Sequence, residues 1–445
     1  MILEAILRKY EEDPVLVKRR QPGRGNPTAS QAGTCAAQLQ MLRFPAWTHP
    51  EMRSVRSAWV FEDGDLHAAA LKAKIEAAYP NRSALAEELF YFPVPITPEQ
   101  ERTLEGKIAN RTLWGTIAPG FVPPLIQLAT ADRKARMRLA ERDPRDGSRP
   151  RPMGFIVDPG TGMGWAPVYI DLVWSHPEQK RLMVVENKSM SRFAFRRALL
   201  GTMGYRERCQ LAMIAEATGL DTMWFVKAKD TAHLCEIGFV SDVDRTTVTI
   251  RRSNGTKESY WVKDSERGIA ESQATGQTVE LRESEDWDIA EVWTPRDPTL
   301  LKQIRDRILT VLLFDPPEDP EARLRSWARE YGPNFNCQNC GGTGVQTLKK
   351  GGDREPLKTP KECEDCGGTV GTKKAPGTPG SGKLDRARLS AFPCGYCSVI
   401  RACWPMATLE VGDKPVWWVT REDVEAKGLT FRTPEAAAVL PVLEA

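Results

Sequence analysis

Residues Val168–Arg197 read VYIDLVWSHPEQKRLMVVENKSMSRFAFRR. Two β-rich runs, 168–174 and 181–187, flank the polar turn Ser175–Lys180, the pattern of an antiparallel hairpin. Glu186 and Lys188 are two apart and so share a face of their strand. A six-residue turn pairs Trp174 with Arg181 and Asp171 with Val184. That register places Asp171 on the same face, diagonal to Glu186 and roughly 7–8 Å from it at the backbone. Two carboxylates so placed can close around one hard cation, with the lysine positioning a water or neutralising developing charge. The same residues, taken alone, also suit a surface hairpin with solvated charges.

The run Ile170-Asp171-Leu172-Val173 with Val184-Val185-Glu186-Asn187-Lys188 resembles the PD-(D/E)XK nucleases, in particular those of the RecB type. Upstream, Gly64-Asp-Leu-His67 is similar to their Gly-x-x-His element. The resemblance makes His67 a ligand of Mg²⁺ or Mn²⁺ beside Asp171 and Glu186. Asp65 as a helix N-cap would put His67 in the first turn, where the helix dipole disfavours the imidazolium and leaves a nitrogen free for a metal. Downstream, the spacing predicts a helix from about Met203 to Thr218, closed by Gly219 and carrying Gln210. RecB-type enzymes have Gln-x-x-x-Tyr in the corresponding helix. Gln210 matches; Ile214 stands where the tyrosine would be, and Tyr205 is a weak substitute. The basic segment after the hairpin supplies Arg192, Arg196, Arg197 and Arg206 as candidate DNA contacts. Thr222–Lys227 reads as the next buried strand, completing a strand-strand-helix-strand core.

The chain has 445 residues, enough for two or three domains. With 62 basic against 59 acidic residues it is no polycation, so contact with nucleic acid needs a local patch. No apolar run approaches a membrane span and the N-terminus carries no cleavage pattern, which predicts a cytoplasmic protein without a membrane partner.

Ten cysteines, mostly in CxxC pairs, point to metal ligation rather than disulfides. Cys394, Cys397 and Cys403 fall within ten residues, one ligand short of a four-cysteine site. Iron–sulfur nucleases of the RecB type, which include the AddB nuclease domain and the CRISPR-associated single-strand exonucleases, resemble this: one cysteine precedes the catalytic core and three follow it. Cys35 fits the first position, and the resemblance implies a 4Fe–4S cluster; zinc in its place is the alternative. Cys337-Gln-Asn-Cys340 and Cys363-Glu-Asp-Cys366 form two further knuckles and read as a tetrahedral Zn²⁺ site. Gly377–Lys383 has phosphate-loop spacing, but Leu384 replaces the metal-binding Ser/Thr and no strand precedes it, which argues against ATP.

The predicted fold is α/β, a restriction-endonuclease-like mixed sheet with an iron–sulfur staple and several insertions. Residues 1–82 hold the N-terminal helices, including a capped helix over Ser30–Phe44, and 83–150 a helical insertion. The nuclease core occupies 151–232, a β-rich insertion 233–290 and a helical segment 291–334. Zinc knuckles fill 335–385, and the cluster cysteines and tail 386–445. The resemblance implies a metal-dependent exonuclease on single-stranded DNA ends, working in recombination, repair or replication with a helicase or recombination protein. Two other readings fit the residues: a DNA-end-binding subunit that uses a nuclease-like fold as a platform, and a structure-specific endonuclease.

Overall fold

A computed structural model of the chain describes residues 27–52, 83–121, 154–175, 182–191, 204–228, 234–239, 247–251, 257–261, 289–294, 297–337, 342–348, 356–364, 382–388, 397–411 and 414–430, with shorter pieces between them. The chain divides into two units. One comprises Met1–Thr34, Met52–Phe314 and Glu435–Ala445; the other comprises Cys35–Glu51 and Asp315–Pro434. No helix among the described residues is long and apolar enough to cross a membrane.

The first unit is α/β and built on a ten-stranded mixed sheet. Its strands are β1 (Ser83–Pro95), β2 (Gly115–Ile117), β3 (Phe155–Asp158), β4 (Met163–Ser175), β5 (Leu182–Met190), β6 (Asp221–Ala228), β7 (Leu234–Phe239), β8 (Thr247–Arg251), β9 (Lys257–Trp261) and β10 (Ile289–Thr294). Their order is β9-β8-β10-β7-β6-β5-β4-β3-β2, with β1 on β4. One edge of β4 carries β1 from Met163 to Trp174. Its other edge is shared, β3 pairing at Met163–Trp165 and β5 at Leu172–Ser175. Between them, residues 166–171 have no strand partner on that edge among the described residues, so the sheet forks where β4 leaves β5.

Strands β5 and β6 are parallel and therefore need a crossover, which the helix Tyr205–Thr218 supplies. Its end is set by Gly219, whose φ of 68° is left-handed and whose N–H donates to the Ala215 carbonyl. The helix buries Cys209, Leu211, Ala212, Met213 and Ile214 against the sheet. A second helix, Pro298–Leu312, starts at Asp297, whose carboxylate accepts from the Leu300 N–H at 3.0 Å. It adds Leu300, Leu301, Ile304 and Ile308 to the same core. The opposite face of the sheet buries Leu172, Trp174, Met183, Val185 and Met223.

Several sequence expectations are corrected. Ser83–Pro95, expected as part of a helical insertion, is the strand β1, and only Pro98–Ala109 of the helical expectation for 83–142 is a described helix. Leu89, Phe90, Tyr91 and Phe92 are buried in succession, so β1 is covered on both faces and shows no alternation that would betray a strand. The capped helix over Ser30–Phe44 is broken: a single 3-10 turn, Ala29–Gln31, is followed by a helix only at Ala36–Arg43. The hairpin pairs Trp174 with Met183 and Leu172 with Val185, two residues on from the expected register, which preserves the parity of every side chain. The β-rich insertion expected over 233–290 holds β7, β8 and β9, which extend the main sheet; β10, running into the segment 291–334 expected to be helical, joins it parallel to β7.

In the second unit Ala37 donates to the Ala328 carbonyl at 2.9 Å, and Ala328 donates back to Gln40 Oε1 at 2.9 Å, tying the helix Ala36–Arg43 to residues late in the chain. A three-stranded sheet, Ala407–Val411, Lys414–Thr420 and Arg386–Arg388, and a hairpin, Val345–Leu348 with Pro356–Glu362, complete it.

The break at residues 32–35 has a steric cause in the first unit. A Cβ on Gly33 would lie 2.4 Å from Arg206 Cα, so the Tyr205–Thr218 helix approaches there as closely as a glycine allows. Gly33→Ala is expected to destabilise the protein by about 1–3 kcal/mol in urea unfolding. Gly106→Ala, in a helix with nothing within 4 Å of the new Cβ, is expected to stabilise it by about 0.5–1 kcal/mol. Equal stability of wild type and Gly33→Ala would show that the contact is not tight.

Candidate active site and metal centres

The fork is where the acidic residues meet. Beyond Leu172↔Val185 the backbone ladder between β4 and β5 stops, and side chains take over the freed N–H groups. The Asp171 N–H donates to Glu186 Oε1 at 3.0 Å, and the Asn187 N–H donates to Asp171 Oδ2 at 2.9 Å. Each carboxylate therefore caps the other strand. Asp171 lies across from Glu186 rather than diagonal to it.

Glu186 is buried, and its second oxygen, Oε2, accepts from Gln210 Nε2 at 3.2 Å. Burial pushes the Glu186 carboxyl well above the usual carboxylate range, and the Asp171 charge pushes it the same way. The Asp171 N–H, Lys188 and Gln210 oppose them. Lys188 follows on the same face of β5, with Nζ 5.3 Å from the centre of the buried Trp224 ring. The arrangement brings together two carboxylates, one of them buried and with a raised pKa, an ammonium and an amide.

Other expected site residues are elsewhere. His67, Arg192, Arg196 and Arg197 lie outside the described residues. Arg206 donates from Nη2 to Thr34 Oγ1 at 2.8 Å. Tyr205 is committed away from the acidic pair: its hydroxyl accepts from Arg307 Nη2 at 2.8 Å and contacts Gln303 Oε1 at 3.3 Å. Ile214 is fully buried in the core.

Cys337, Cys340, Cys363 and Cys366 form a compact group in the second unit, all four sulfurs within 4.8 Å of one another. Cys337 and Cys363 are 3.6 Å apart, as are Cys340 and Cys366. A metal–sulfur bond of about 2.3 Å in a tetrahedron implies sulfur–sulfur edges of about 3.8 Å. The Gly344 N–H points at Cys340 Sγ, 3.3 Å away. Burial works against a Cys340 thiolate, but the Gly344 and Gly342 N–H groups and the neighbouring thiols bring its pKa down to about 7. This four-cysteine group could hold a metal such as zinc or an iron–sulfur centre.

Cys35, Cys394, Cys397 and Cys403 also converge within the second unit. Cys35 is the residue before the helix Ala36–Arg43; burial raises its pKa first and the Glu330 carboxylate next, while the N–H groups of Glu330, Gln38 and Ala37 lower it. Burial and Cys35 raise Cys394 to about 11. Burial drives Cys403 well up, Arg329 draws it down, and Cys35, Cys397 and Cys394 raise it further. The four thiols thus feel one another electrostatically. Among the described residues, however, only the Cys337 group packs its sulfurs at single-ion spacing.

Sequence reasoning missed Glu330, which accepts from the Ala36 N–H at 2.9 Å, and Arg329, which bonds the Cys403 carbonyl. No motif marks either. Compared with known protein families, curated proteins and solved structures, the chain matches none.

Folding gives Glu186 a higher affinity for its proton. The stability this confers is whole below the ordinary carboxylate range and drains away as pH climbs through the raised value. Metal-free wild type should therefore lose melting temperature as pH rises above the ordinary carboxylate range, whereas Glu186→Gln should show a flatter profile, and Mn²⁺ should restore wild type at the upper end. Parallel profiles for the two proteins would show that Glu186 titrates as an ordinary carboxylate.

Proposed function

We propose that the chain is a metal-dependent deoxyribonuclease with a PD-(D/E)XK-type, restriction-endonuclease-like core, acting on single-stranded DNA ends. The observation that carries this reading is the fork. Two carboxylates meet where two strands separate, one of them buried with its carboxyl pushed well above the usual carboxylate range, and Lys188 stands two residues beyond Glu186. A purely structural acidic pair gains little from such burial, since uncompensated like charges oppose each other.

In this reading Asp171 and Glu186, with His67, hold Mg²⁺ or Mn²⁺. When bound, the metal would supply Lewis acidity to the scissile phosphate and lower the pKa of a bound water. Lys188, braced over Trp224, orients the attacking water and balances charge on the phosphate. Gln210 fixes the Glu186 carboxylate through Oε2 and leaves Oε1 to the strand. Arg192, Arg196, Arg197 and Arg206 belong to the segment proposed to follow the DNA backbone.

The two cysteine groups complete the proposal. The compact Cys337 group holds zinc, whose preferred sulfur spacing it matches. The wider Cys35 group holds a 4Fe–4S cluster, a larger body than a single ion. One observation favours the rival platform reading: Ile214 is buried, so the helix offers no tyrosine one turn after Gln210.

End-labelled single-stranded DNA with Mg²⁺ or Mn²⁺ tests the activity. Wild type should release the label, and Lys188→Ala should be slower by about 10²–10³-fold while binding the strand as before. Binding without metal-dependent cleavage by wild type would favour the platform, and cleavage of a closed single-stranded circle would make the enzyme an endonuclease. Iron and zinc assays after anaerobic purification should find both metals, with Cys403→Ser losing the iron alone and Cys363→Ser the zinc alone.

A further inference from the structure

Arg329 is 2% exposed, and its surroundings do not account for its charge. Nε and Nη2 both donate to the Cys403 carbonyl, at 3.0 and 2.7 Å, and Nη2 also donates to the Leu324 carbonyl at 2.6 Å. The guanidinium lies over the Trp404 ring, 5.0 Å from its centre. Nη1 is buried with no hydrogen-bond partner. Among the described residues the groups that interact with it electrostatically are Cys403 and Cys35, and no carboxylate is among them. Carbonyls and a ring face solvate a cation in part but leave its charge uncompensated, and a buried charge without a counter-ion is strongly unfavourable.

The missing anion has a natural source. Four thiolates ligating a metal centre carry net negative charge, and Cys35 and Cys403 lie on the guanidinium's electrostatic horizon. Burial lowers the Arg329 pKa and the same two cysteines raise it back, in agreement with the geometry. The neighbouring Glu330 accepts from the Ala36 N–H, which places its charge at the start of the Cys35 helix, and Arg329 is the cation that interacts with Cys403 and Cys35.

We propose that Arg329 is the counter-charge and N–H donor of the centre formed by Cys35, Cys394, Cys397 and Cys403, and that it sets the reduction potential of that centre. This rests on the reading of those cysteines as an iron–sulfur site. Cluster potential follows net charge and hydrogen bonds to sulfur: a fixed cation favours the more negative, reduced state and raises the potential. Arg329 is thus a positioning residue, and its effect is legible in a quantity that simple bracing of the Cys403 carbonyl would leave unmoved.

The test uses the full chain, purified anaerobically, as wild type, Arg329→Lys and Arg329→Gln, with iron content, visible spectrum and midpoint potential as readouts. Arg329→Gln should lower the reduced-to-oxidised ratio at a fixed potential by about tenfold, which is about 59 mV for a one-electron couple. Arg329→Lys, which keeps the charge, should move it by less than half as much. Iron-loaded wild type with an unmoved Arg329→Gln midpoint overturns the proposal and leaves the cluster standing. Iron-free wild type overturns the cluster reading and the proposal with it. If Arg329→Gln fails to load iron, Arg329→Lys decides: recovery of the cluster by lysine supports a role for charge. Loss of iron from both variants, with zinc retained, assigns Arg329 to bracing and overturns the proposal.

Discussion

At the fork between β4 and β5, two backbone N–H groups that would otherwise lose their ladder partners are taken up by the two carboxylates, Asp171 donating to Glu186 and Asn187 to Asp171. A buried N–H without a partner costs about as much as a lost hydrogen bond, and a buried carboxylate without donors costs more. Each group solves the other's problem. The strands can part only because acids stand at the parting, and the acids can be buried only because the strands leave N–H groups behind. Gln210 extends the arrangement into the crossover helix, so the helix position and the Glu186 rotamer are linked by one hydrogen bond. The close approach of that helix to Gly33 fixes its other end.

This constraint gives the acidic pair a split character. The site is part of the sheet's hydrogen bonding, and burial and Asp171 both disfavour the charge on Glu186. The same features that make the charge costly make a cation welcome, since a divalent ion between the carboxylates removes the repulsion at its source.

The second unit obeys a different constraint. Much of it is short elements: a helix of four residues at Ile400–Cys403, a three-stranded sheet and a two-stranded hairpin. Elements so small bury little apolar surface, and cysteines from distant parts of the chain come together among them. Cys35 and Cys403 interact electrostatically across most of the sequence, Arg329 binds the Cys403 carbonyl, and Glu330 accepts from the N–H at the start of the Cys35 helix.

The sequence by itself determined the local facts: that residues 168–187 form a hairpin with Asp171, Glu186 and Lys188 of one parity, that Gly219 ends the crossover helix, and that the CxxC pairs at 337–340 and 363–366 come together. These follow from side-chain period, positive φ and ligand spacing, which are properties of short stretches. Tertiary structure decided the rest. Ser83–Pro95, expected as helix, is a strand that pairs with β4 from Met163 to Trp174 and buries Leu89 to Phe92 in succession. The hairpin register moved by two residues, a change that parity cannot detect. The burial of Glu186, the break before Cys35 and the unmatched charge of Arg329 arise from partners far away in the chain. Which groups surround a side chain, and so what its charge costs, is set by long-range packing and is not written in its neighbours.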